Sequence, residues 1–133
     1  MDFTIAVKLP DLTLLTDEVV TQVDQVMRKT ALDIFTGINA MSPVRQIAGG
    51  LFRGSWLLSN GAPGSRVATT PDPSGASAMA AGVAALAGRT AQQKQTFASI
   101  FIVNNLPYAQ RLEEGYSRQA EFGVVGPTIA RFR

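Results

Sequence analysis

The sequence contains neither cysteine nor histidine. Without thiols there are no disulfides, thiolate metal sites or cysteine nucleophiles. Without imidazole, the commonest zinc ligand and the commonest general base are also missing. No apolar run approaches the roughly twenty residues that a membrane-spanning helix needs. The opening residues Met1-Asp2-Phe3-Thr4 lack the basic and then apolar pattern of a secretory leader. Charge of one sign is scarce: 12 Lys and Arg face 10 Asp and Glu, a net +2, and the arginines are scattered. A Gly-x-Ser-x-Gly elbow, a phosphate-binding Gly-x-x-x-x-Gly-Lys loop and a dinucleotide fingerprint are all absent from the sequence. These absences predict a soluble protein that is not an enzyme and uses no cofactor or metal. At 133 residues the chain has the length of one domain, 1–133, able to build a core without covalent staples.

What is present begins with a long periodic segment. From 17 to 38, Val19, Val23, Val26, Met27, Thr30, Ala31, Ile34 and Ile38 share one side at about 100° per residue, with Asp24, Arg28 and Lys29 opposite. This predicts an amphipathic helix with Thr16 as N-cap, Asp17 and Glu18 at the positive end of its dipole, and a stop near Gly37 or Asn39. Leu32 falls on the polar side, either as an exposed leucine or as a contact to a neighbouring subunit.

Leu51 to Leu58 reads as a strand, since Phe52, Trp56 and Leu58 share a parity, with Trp56 in the core and Arg53 facing solvent. Asn60-Gly61 turns the chain, and Arg66 to Thr69 is the candidate partner strand. Met79, Val83 and Leu86 in an alanine-rich stretch predict a second helix over 76–88, with a flexible linker as the alternative. Residues 89–95 read as a polar connection and Phe97 to Val103 as an apolar strand covered on both faces. Pro107 to Gly115 fits a short helix, with Tyr108 and Leu112 directed to the core and Glu113 and Glu114 on a solvated face. Residues 124–132 are open between a last strand and a helix. The fold class expected is α+β: a long N-terminal amphipathic helix and a second helix packed on a small, mainly antiparallel sheet.

The stretch from Ile102 to Ala120 contains Asn104-Asn105-Leu106-Pro107-Tyr108-Ala109, Leu112-Glu113-Glu114-Gly115 and Ser117-Arg118-Gln119-Ala120. It resembles the N-N-x-P-Y-A-x-x-L-E-x-G-x-S-x-Q-A signature of phage minor tail proteins of the tail-completion or head-tail joining family. That family also carries an S-P-V-D-T-G-x-[LF]-R-x-S-W segment. Ser42-Pro43-Val44 and Phe52-Arg53-Gly54-Ser55-Trp56 match its two ends, while Arg45 to Gly50 replaces the aspartate-threonine-glycine turn with a longer run.

The resemblance implies a virion protein assembled in the bacterial host cytoplasm and placed at the head-tail junction. It implies a homo-oligomer, a hexameric ring, that caps the tail tube and meets a tail terminator and the head connector, with transient non-specific contact to DNA in its channel. The interface candidates are Asn104, Asn105, Pro107, Tyr108, Arg111, Glu113, Glu114, Gly115 and Arg118. The lumen candidates are Arg45, Arg53, Arg66, Arg89 and Lys94. The alternative is a tail terminator or another protein-binding assembly module without catalysis, recognising its partner through the edge of the Phe97 strand.

Overall fold

The structure, a computed structural model, describes residues 3–7, 17–44, 49–115, 119–120 and 122–132. The expected α+β class is what forms. Among the described residues three antiparallel strands make one sheet, in the order β1 (Phe3–Val7), β3 (Ile100–Asn104), β2 (Trp56–Asn60). The register is flush: Phe3 and Trp56 lie opposite Asn104, and Val7 and Asn60 lie opposite Ile100. One face, carrying Trp56, Leu58, Ile100 and Ile102, is buried in the main apolar cluster beneath the helices.

Helix α1 (Asp17–Met41) supplies Val20, Met27, Ala31, Ile34, Phe35 and Ile38 to that cluster. Its buried line is rotated from the stripe expected. Asp24 is buried, while Val19 and Val26 are exposed. The helix also runs past Gly37 and Asn39. Gly37 is a packing notch: a Cβ there would lie 2.8 Å from Thr128 Cγ2. Termination comes at Ser42, whose hydroxyl donates to Ile38 O at 2.8 Å, just before Pro43 forbids a further turn.

Residues 51–58 are not one strand. Gly50, at φ 113°, opens a single helical turn, α2 (Leu51–Gly54), and β2 starts only at Trp56. A spacing of four leaves Phe52 and Trp56 on one side in a helix as in a strand, so parity could not separate them. Residues 66–69 do not return as a strand. Asn105 Nδ2 donates to Gly64 O (3.0 Å) and Arg66 O (3.1 Å), holding this loop against the sheet face of Leu57, where Gly64 leaves no room for a Cβ.

The alanine-rich stretch forms α3 (Ala76–Ala87), whose Gly82 lies against the Phe35 ring. The connection 89–95 contains a helix, α4 (Ala91–Gln95), set by a capping box: Gln93 N donates to Thr90 Oγ1 at 3.1 Å and Thr90 N to Gln93 Oε1 at 2.8 Å. Phe97 is outside β3. It is buried at φ 50°, and the strand starts three residues later than expected. Two short helices complete the described chain, α5 (Ala109–Glu113) and α6 (Val125–Ala130), so 124–132 resolves as helix. No helix of the described residues is long and apolar enough to cross a membrane.

Candidate functional site

The sequence segments around Ser42–Trp56 and Asn104–Ala120 are far apart in the chain, yet they interlock. The indole N–H of Trp56 donates to Ser42 Oγ at 2.7 Å, joining the two ends of the first segment across the residues between them. Phe52 stacks edge-on against Trp56, with centroids 5.6 Å apart, and lies 6.5 Å from the Tyr108 ring. Asn104 Nδ2 donates to Phe52 O at 3.0 Å, and its Oδ1 accepts from Leu106 N at 3.1 Å, so one buried amide ties β3 to α2 and turns the chain after the strand. Gln119 completes the link: Val44 N donates to its Oε1 at 2.9 Å and its Nε2 donates to Val44 O at 2.8 Å, the bond pattern of a strand partner made by one side chain.

Between the segments lies an open cleft of about 540 Å³ lined by Pro43, Val44, Gly49, Gly50, Leu51, Phe52, Pro71, Tyr108, Leu112 and Gln119. The Val44 amide and carbonyl are already bonded to Gln119, so most of what the cleft offers a visitor is apolar surface. Among the described residues no cluster of three or more acidic side chains could hold a metal ion. Comparison with protein-family models, curated proteins and solved structures gave no match.

Several expected site residues occupy other roles. Asn104 is fully buried and presents nothing to a neighbour, and Asn105 spends its amide on the 64–66 loop. Tyr108 is not a core anchor. It is 40% exposed and forms the rim of the cleft, with half-buried Leu112 beside it. Pro107, Arg111 and Glu114 are exposed, and Gly115, half-buried, takes the left-handed conformation (φ 92°) after α5. Glu113 is not a solvated side chain: its Oε1 accepts from Val124 N and Val125 N, both at 2.7 Å, and its Oε2 from Gly126 N at 2.9 Å. The carboxylate thus meets the amides that open α6, which has no side-chain cap of its own. Arg118 and Arg45 lie outside the described residues.

The lumen candidates divide in the same way. Arg53 is half-buried and not a free solvent-facing cation: its guanidinium donates to the carbonyls of Pro73 (2.8 Å), Ala40 (3.3 Å) and Ser42 (2.7 Å), tying α2 to the end of α1. Arg89 is buried and cannot line a channel. Its Nε lies 2.8 Å from Asp24 Oδ1, and its terminal nitrogens donate to Asn60 Oδ1 (3.0 Å), Ala98 O (3.0 Å) and Gln93 O (3.4 Å). Arg66 is exposed and Lys94 half-buried. The Phe97 edge offers no docking strand, because β3 is the middle strand, paired on both sides. The Glu113 cap and the Gln119 clamp were missed by sequence reasoning. The family-like stretch was their only signal, since each bonds to backbone whose position local sequence does not specify.

Proposed function

We propose that this chain is a structural virion protein of a long-tailed bacteriophage, a tail-completion or head-tail joining subunit that acts by assembling and not by catalysis. Copies close a hexameric ring that caps the tail tube and presents a face to the head connector, and DNA passes through the channel with no more than transient contact. The observation that carries the reading is the interlock of the two resembling segments. Ser42 is bonded to Trp56, Asn104 to Phe52 and Gln119 to Val44, so the residues that carry the resemblance build one corner of the molecule instead of lying scattered.

A ring of one subunit needs two unlike surfaces that fit each other, repeated head to tail. The cleft rimmed by Tyr108 is a concave candidate for one of them. Exposed Arg66 and half-buried Lys94 are the described basic residues left from the lumen set. The reading places the protein at the head-tail junction of the virion, assembled in the host cytoplasm. The alternative, a tail terminator or an assembly module that docks a partner segment without forming its own ring, is favoured by the cleft alone. Cryo-electron microscopy of the intact particle tests the choice. The expected result is a sixfold ring of this chain at the junction, with density from a neighbouring copy or partner in the cleft. Absence of the chain from the junction overturns the proposal.

A further inference from the structure

Helix α1 carries a second apolar line beside the one that faces the core. Val19, Val23 and Val26, spaced four and three residues apart, sit roughly 60–120° round the helix from the buried line through Val20, Ala31 and Ile38. The same flank continues through Thr30 and Gly37 to Met41. At that end it is already a helix-packing seam, with Thr128 of α6 seated over Gly37 and its Oγ1 3.4 Å from Met41 Sδ. At the other end it faces outward: Val26 is 65% exposed, Val19 is 37% exposed and Val23 is half-buried. β-Branched residues are poor choices for an exposed helix position, whereas this spacing is the one used by interlocking helix seams.

The charges around the seam indicate what it receives. Asp17 and Glu18 precede the valines and Lys29 follows them, while Arg28 turns away from the seam to lie 3.0 Å from buried Asp24. The seam valines centre between Gln22 and Val23, with carboxylates at the N-terminal end of the seam and Lys29 at the other. A second α1 laid antiparallel sets Val19 near the partner's Val26 and Val23 near the partner's Val23, and brings Glu18 toward the partner's Lys29 at both ends. A parallel pair would set like charges together. Lys29 now bonds Asp33 at 2.8 Å, but their side chains are 77% and 45% exposed, and a solvent-screened pair of this kind contributes little and is exchanged at small cost.

We propose that the free protein dimerises by antiparallel pairing of the N-terminal half of α1 across this seam. A two-fold contact closes on itself and does not propagate round a ring, so this inference stands apart from the proposed station in the virion. Three valines make a small seam against the roughly 800 Å² a side of a standard interface, and the dimer is accordingly weak, with a Kd in the range of roughly micromolar to tens of micromolar.

Sedimentation equilibrium on the full chain, over a range from about 1 to 300 μM, provides the test. The wild type should move from the 14.1 kDa monomer toward twice that mass. Val26→Asp, at a position exposed enough to leave the fold intact, should weaken association at least about tenfold. Glu18→Lys should weaken it by roughly threefold or more, and the double variant Glu18→Lys/Lys29→Glu should restore it to within about twofold. A monomer at every concentration, or an unchanged Val26→Asp variant, overturns the dimer. A double variant weaker than Glu18→Lys overturns the antiparallel arrangement. None of these outcomes bears on whether a ring is found in the particle, so the two proposals fail separately.

Discussion

Replacing Arg89 by methionine keeps much of the side-chain volume and removes the charge. Both partners of the Arg89–Asp24 pair are almost wholly buried, with side chains 0% and 1% exposed, so the substitution leaves a carboxylate in the interior. Asp24 keeps one ionic neighbour, Arg28 Nε at 3.0 Å from Oδ2, but neither atom has a hydrogen bond of good geometry, and that cation is a third exposed. The acceptors on Asn60, Gln93 and Ala98 lose their donor as well. Breaking a buried pair by removing one partner costs about 3–5 kcal/mol, a large fraction of the roughly 5–15 kcal/mol that holds a domain folded. For a chain of this size that is a fall in Tm of about 10–20 °C.

Trp56, the single tryptophan and 2% exposed, reports unfolding in urea through its fluorescence. Asp24→Leu should cost a similar amount. The double variant Asp24→Leu/Arg89→Met should be at least about 2 kcal/mol more stable than the sum of the two losses allows, because no uncompensated charge remains. A loss below about 1 kcal/mol for Arg89→Met, or strict additivity of the two single losses, refutes the reasoning. The first result is what a channel-lining arginine would give, since an exposed side chain contributes little to the stability of an isolated subunit.

Glu113→Ala removes the acceptors of the Val124, Val125 and Gly126 amides. It should destabilise by about 1–2 kcal/mol and raise hydrogen exchange at those three amides more than at α1, measured by NMR. Gly75→Ala should be among the most damaging single-methyl additions, at about 3 kcal/mol or more by urea melts. Its φ is 76°, and the new Cβ would fall on the Asn39 side-chain amide, which in turn holds Arg53 O.

Local pattern sufficed where one residue's neighbours in sequence are also its neighbours in space. The body of α1, the alanine-rich α3 and the apolar core of β3 are of this kind, and so is the α+β class that follows from their order. Two further elements carry local signals of their own: alternating Phe3, Ile5 and Val7 in β1, and the Thr90–Gln93 capping box of α4. The corner formed by the two family-like segments was legible as a resemblance, but not as a set of bonds.

Periodicity and composition by themselves determined that this chain builds helices on a small sheet and that histidine and cysteine chemistry is closed to it. Tertiary structure alone decided which way α1 rolls. Asp24 and Val26 stand about 160° apart around the helix, so a roll of roughly 60° in the buried line exchanges one for the other, and the choice turns on Arg89, 65 residues away, which makes a buried aspartate tolerable. It likewise decided the roles of Arg53, Asn104, Glu113 and Gln119. Each bonds to backbone atoms, which every residue carries, so nothing in their sequence neighbourhood names the partner. Those bonds exist only once the sheet and helices have brought the two segments together.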